Sequence, residues 1–155
     1  LDMGQPVDQR PVQKLFLGGE LHEVHFINTG VPHAVSYVPD VENIDIRSLG
    51  SALRWHEAFS PKGTNANFAQ AMPDGTLNLR TFERGVEDET LACGTGVCAA
   101  AILHAASQNL ASPIHVTVRG GDTMRVDFSR NENGSFASVH LTGPADFVFE
   151  GEISL

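Results

Sequence analysis

Runs of β-branched and aromatic residues, broken by Gly, Pro and Asn, divide most of the chain into short strands. The first three fall at residues 14–17, 23–28 and 34–38. A short helix is expected from Ile46 to Ala58, where Leu49, Leu53 and Phe59 fit one apolar face and Pro61-Lys62-Gly63 forms the stop. Residues 67–72 and 76–84 flank a Pro73-Asp74-Gly75 turn and read as a hairpin. A second hairpin follows at 114–119 and 123–129 around Gly120-Gly121-Asp122, with a further strand at 136–142. In this hairpin Val116, Val118, Val126 and Phe128 alternate with polar residues, the period of a sheet with one buried face. Residues 146–150 have the pattern of a last short strand.

One segment breaks the alternation. From Gly96 to Asn109 the chain is rich in alanine, a helix former, and Val97–Leu103 is apolar on every side. A helix apolar all round is a buried one, and alanines let strands approach its axis. The expected architecture is α+β: a curved, mostly antiparallel, barrel-like sheet wrapped around one central buried helix. At 155 residues a single domain spanning 1–155 is expected.

Charge narrows the partners. The net charge of −9, with no basic stretch, repels phosphate backbones and anionic lipid, which argues against nucleic acid and membrane surfaces. Eight of the ten basic residues are arginine, so an anion pocket is still possible chemistry. No apolar run is long enough for a membrane span. The N-terminus lacks the basic-then-apolar layout of a secretory signal. Cys93 and Cys98 are five residues apart, so on a helix they point about 140° apart and cannot bridge. Unpaired cysteines fit a reducing, cytoplasmic setting.

The chemistry concentrates between Glu83 and Gly96. Here Cys93-Gly94-Thr95-Gly96 opens the buried helix. Glycines leave the first backbone N–H groups unobstructed, and a helix N-terminus favours an anion and depresses the pKa of a thiol. Cys93 is therefore a candidate base or nucleophile beside a carboxylate or phosphate cradle. The same residues also suit a tight turn in which Cys93 is a small buried side chain. A P-loop is excluded because the Lys-Ser/Thr after its glycines is absent. Two cysteines pointing apart offer no zinc site, and His22 and His25 make a weak metal pair, so no metal is expected.

The run Glu83-Arg84-Gly85…Glu89-Thr90-Leu91-Ala92-Cys93-Gly94-Thr95-Gly96 resembles the C-terminal catalytic motif of the diaminopimelate epimerase family. Further matches occur in order: Asp2-Met3-Gly4-Gln5-Pro6, Gly30-Val31-Pro32-His33-Ala34-Val35, Asn65-Ala66-Asn67-Phe68, Leu141-Thr142-Gly143-Pro144-Ala145 and Val148-Phe149-Glu150-Gly151. The resemblance covers the whole chain but only the second half of the family's polypeptide. It implies a missing N-terminal domain that carries a second catalytic cysteine, with the active site in the cleft between the two.

The implied reaction inverts LL-diaminopimelate to the meso isomer, in lysine and peptidoglycan precursor biosynthesis, by two thiols and no cofactor. By position, Cys93 would be one of the two acid–base thiols. Gly94 and Thr95 would hold the substrate carboxylate, with Asn65, Glu83 and Arg84 on its polar ends. His33 and Glu83 would tune the thiols, and Phe149 would lie at a homodimer contact. Alone, the chain would not epimerise. Val31 departs from the pattern, since many members have Asn there: either another group such as Asn28 takes over, or substrate contact is weakened. Two alternatives stand beside this reading. One is a proline racemase-like isomerase, which Glu83-Arg84-Gly85 disfavours, and the other is a non-catalytic domain retaining the fold.

Overall fold

The computed structural model describes residues 1–153. Nine strands build one sheet: β1 (Val7–Leu17), β2 (Glu20–Asn28), β3 (Pro32–Tyr37), β4 (Asn65–Ala71), β5 (Leu77–Glu83), β6 (Asp88–Thr90), β7 (Ile114–Val118), β8 (Thr123–Arg130) and β9 (Phe136–Thr142). Two helices, α1 (Ile46–Arg54) and α2 (Gly94–Gln108), pack against it. The spatial order is β1-β2-β3-β4-β5-β7-β8-β9, with β6 paired to β5. Two pairings, β3 with β4 and β5 with β7, are parallel and the other six antiparallel.

Strand alternation distributes the core between the two helices. Val35, Ala69, Leu77 and Leu79 face α2, whereas Ala34, Ala66, Phe68 and Phe82 join Phe26, Leu53 and Phe59 in a second cluster beside α1. Every residue of α2 from Gly96 to Ala105 is buried. The helix touches β2, β3, β4, β5, β7, β8 and β9, as its all-round apolarity requires. On α1, Gly50 lies against the Phe82 ring, where a Cβ would come within 2.5 Å of the Phe82 Cβ.

Four expectations need correction. The sheet does not close into a barrel, because β1 and β9 are not paired with each other. Residues Leu1–Met3 cover the outer edge of β9, through Leu141 N–H to Leu1 O and Met3 N–H to Val139 O. The chain then leaves that edge at Gly4 (φ +70°) and Pro6 before β1 begins. The expected strand at 146–150 is not formed. The β9 edge is already taken, and Phe147, Val148 and Phe149 stand exposed without a ladder partner among the described residues.

The helix expected over 46–58 stops at Arg54. There His56 N–H turns back to Leu53 O, and a 3₁₀ turn follows at Glu57–Phe59, capped by the His56 ring. Finally, β1 runs seven residues upstream of the expected 14–17. Its upstream part is polar, contains Pro11, and carries two register irregularities. An exposed edge strand of this kind has almost no hydrophobic signature.

Candidate functional site

The parallel pairing of β3 with β4 places His33 opposite Asn65, and the β4–β5 register places Ala66 opposite Phe82, next to Glu83. The starts of β3 and β4 and the end of β5 thus meet beside the first turn of α2. Distant sequence motifs converge there for a topological reason.

Cys93 is the residue before α2, in extended conformation, and its carbonyl accepts from Val97 N–H. Its side chain is buried, with Sγ 3.5 Å from Thr95 Oγ1. Burial pushes the Cys93 thiol above its ordinary range. The Thr95 hydroxyl and the N–H groups of Gly96 and Thr95 pull it back, and the Glu83 carboxylate opposes ionisation. The helix start therefore acts on the thiol as the sequence implies, but desolvation outweighs it. Burial pushes the Cys98 thiol up to about 12, and Cys98 is completely enclosed in the core around α2.

Thr95 is anchored twice. Its carbonyl accepts from the Thr29 hydroxyl (2.8 Å), and its hydroxyl meets His33 Nε2 (2.9 Å). His33 is fully enclosed, and its Nδ1 lies 3.1 Å from the Asn67 amide nitrogen. Burial, reinforced by the nearby Arg84 charge, lowers its pKa from 6.5 to about 3. The unfolded chain then binds a proton that the native state refuses, so stability is full above pH 6.5 and falls as pH drops toward 3. The slope approaches about 1.4 kcal/mol per pH unit for this one group. Urea unfolding should show this loss between pH 6.5 and 4.5, before the carboxylates titrate. His33→Gln is expected to flatten the profile, leaving the smaller contributions of His25 and His104, also depressed by burial.

Asn65 is buried with both ends of its amide engaged. Its nitrogen donates to Pro32 O (3.0 Å), and its oxygen accepts from Arg84 N–H (2.8 Å). It works here as a strut that fixes the Glu83-Arg84 corner. Arg84 lines an open cleft of about 430 Å³ together with Arg10, Asn28 and Lys62, without an ion-pair partner among the described residues. Cys93 is not part of that lining. Phe149 is 82% exposed and takes part in none of these contacts. The structure thus links Cys93, Thr95 and His33 by hydrogen bonds and joins Asn65 to Arg84, while Phe149 is not brought to them. Among the described residues no group of three or more His, Cys, Asp or Glu could hold a metal. No helix there is long and apolar enough to cross a membrane.

Several residues around the site carry no role in the sequence reading. Asn67 and Thr81 form the buried polar backing of His33, and Arg54 ties two loops together. The signal for Asn67 was its spacing from Asn65, since residues two apart on a strand share a face. Arg54 gave no such signal, because its partners Lys62 and Glu87 are fixed only by the fold.

The architecture recurs among solved structures. The chain superposes on a probable proline racemase from Agrobacterium radiobacter K84 with a TM-score of 0.66, covering 99% of this chain and 52% of that one at 16% identity. This likeness defines the fold class. The sequence goes further: the diaminopimelate epimerase family profile matches residues 25–148. The chain is 48% identical over 130 residues to the diaminopimelate epimerase of Aquifex aeolicus, covering 83% of this chain and 45% of that protein. It is 42% identical over 132 residues to that of Chlorobaculum tepidum, covering 84% and 50%. The chain belongs to the diaminopimelate epimerase family, and it spans about half the length of these relatives.

Proposed function

We propose that this chain supplies one half of the active site of a diaminopimelate epimerase, in lysine and peptidoglycan precursor biosynthesis. Cys93 exchanges the α-proton on one face of the substrate, and a thiol from a complementary N-terminal domain works on the other. Inversion requires donor and acceptor on opposite sides of one carbon, so neither half suffices. The observation that carries this reading is the Cys93 sulfur at the start of an enclosed helix, hydrogen-bonded through Thr95 to a buried neutral His33.

The N–H groups of Gly94 and Thr95 receive the substrate α-carboxylate and stabilise the charge that develops on deprotonation. Arg84, held by Asn65, offers a planar fork to the distal carboxylate, and Glu83 receives the ammonium. Asn28 shares the Arg84 cleft and takes the place left by Val31. The exposed Phe149 is assigned to a dimer contact in the assembled protein. The free cysteines suit a reducing compartment. No cofactor enters the scheme.

The test is proton exchange with LL-diaminopimelate in heavy water. The isolated 155-residue chain is expected to give no meso product, and mixing or fusing it with the complementary half is expected to give deuterated product. Steady turnover by the isolated chain would defeat the half-site assignment. Proline offered in the same assay separates the proline racemase-like alternative.

A further inference from the structure

We propose that Asn67 and Thr81 are positioning residues that set the direction of a hydrogen-bond chain ending on Cys93, so that the Thr95 hydroxyl donates to the sulfur. The inference builds on Cys93 as an acid–base thiol, and it concerns two residues that the substrate does not need to touch.

The direction follows from one carbonyl. Ala34 O, which can only accept, lies 2.9 Å from the Asn67 side-chain nitrogen, so that atom is the NH2 group. The Asn67 oxygen accepts from the Thr81 hydroxyl at 2.9 Å, which holds the amide from its other end. His33 Nδ1 lies 3.1 Å from the same nitrogen, which also has Asn65 O at 3.4 Å, and because an amide NH2 cannot accept, Nδ1 must be the acceptor. The His33 proton then resides on Nε2 and is donated to Thr95 Oγ1 at 2.9 Å. That oxygen then accepts from His33, which leaves its own hydrogen free to be donated to Cys93 Sγ at 3.5 Å.

Asn67 and His33 are fully enclosed and Thr81 is 3% exposed, so water has no access with which to reverse the order. The helix is shaped to admit the chain. A Cβ on Gly96 would come within 2.6 Å of Asn67 Oδ1 and 3.3 Å of His33 Cε1. The last glycine of Cys93-Gly94-Thr95-Gly96 thus makes room for the backing of the thiol. A hydrogen bond donated to sulfur favours the thiolate, and the chain opposes both the burial of Cys93 and the charge of Glu83. Arg84 is the charged group facing the His33 end, and it disfavours an imidazolium there.

Two measurements on the 155-residue chain test this. In the wild type, ¹⁵N shifts of the His33 ring between pH 5 and 8 are expected to show hydrogen on Nε2 alone, and hydrogen on Nδ1 would overturn the proposal. Iodoacetamide alkylation of Cys93 against pH, separated from Cys98 by peptide mass, reads the sulfur. Thr95→Val should move the midpoint up by about one pH unit, a roughly tenfold slower reaction at fixed pH, and Thr95→Ser should restore it. An unmoved midpoint in Thr95→Val would equally overturn the proposal.

Asn67→Asp replaces the donor by an acceptor. It is expected to draw the His33 proton to Nδ1, turn the Thr95 hydroxyl toward Nε2 and raise the Cys93 midpoint. His33 retaining its proton on Nε2 in folded Asn67→Asp counts against Asn67 as the setting residue. If this variant does not fold, the wild-type spectrum and the Thr95 pair decide. These readouts are independent of turnover. Should they hold while Cys93→Ser keeps full activity in the two-domain protein, the epimerase reading fails and the directed chain stands.

Discussion

Replacing Cys93 with serine in the assembled two-domain protein should lower epimerisation of LL-diaminopimelate by about 10²- to 10⁴-fold, the contribution of a positioned acid–base group. Serine is nearly isosteric and retains a hydrogen bond to Thr95, but its hydroxyl does not ionise in the working range. The site geometry is independent of the sulfur. Asn65 fixes Arg84, Thr29 fixes the Thr95 backbone, and α2 is buried from Gly96 to Ala105. The thermal unfolding midpoint should therefore stay close to wild type while turnover collapses. A fall in both together would point to a packing role for Cys93, and unchanged turnover would reject its catalytic assignment.

Gly63→Ala is expected to cost about 2–5 kcal/mol in stability, although the residue is small and lies in a loop. Its φ of +66° is left-handed, and a Cβ there would collide with the Arg54 carbonyl oxygen and Nη1. Arg54 is 4% exposed and cannot easily retreat. It donates to Glu87 Oε1 from Nε (3.1 Å) and Nη2 (2.9 Å) and to Lys62 O from Nη1 (3.0 Å), and its guanidinium lies 3.8 Å from the Trp55 ring centre. Glu87 in turn accepts from Gly85 N–H, in the turn that follows Arg84. Displacing Arg54 frees Lys62, which lines the cleft, and the Glu87 turn that follows Arg84, so substrate affinity should weaken alongside stability. Urea unfolding measures the first effect and KM in the two-domain protein the second. A stability loss below about 1 kcal/mol would show that residues 60–63 swing clear of Arg54.

Sequence periodicity served well where an element buries a recognisable face. The all-round apolarity of Val97–Leu103 located the enclosed helix, and the valines of β7 and β8 located their hairpin. It served poorly where pairing alone makes the strand. The first seven residues of β1 have no apolar rhythm and exist through ladder bonds to β2. Conversely, Phe147-Val148-Phe149 has strand chemistry but joins no ladder among the described residues.

At the site, residue types singled out Cys93, because glycines and a thiol at a helix start are uncommon neighbours, and the family resemblance added Thr95 and Arg84. Of the buried relay behind them, the resemblance pointed to His33, while the parts of Asn67 and Thr81 went unread. Asn67, Thr81 and His33 come from three different strands, and only the register of β3, β4 and β5 makes them neighbours.

That register has an evolutionary corollary. A hairpin would tie the alignment of His33 with Asn65 to the length of its turn, whereas this parallel pair is joined by a long excursion containing α1. The connecting stretch is a tether rather than a ruler. Residues inserted near its exposed Asp40 and Glu42 can lengthen it without moving either side chain. Lineages are thus free to remodel this outer surface while the reacting geometry stays unchanged.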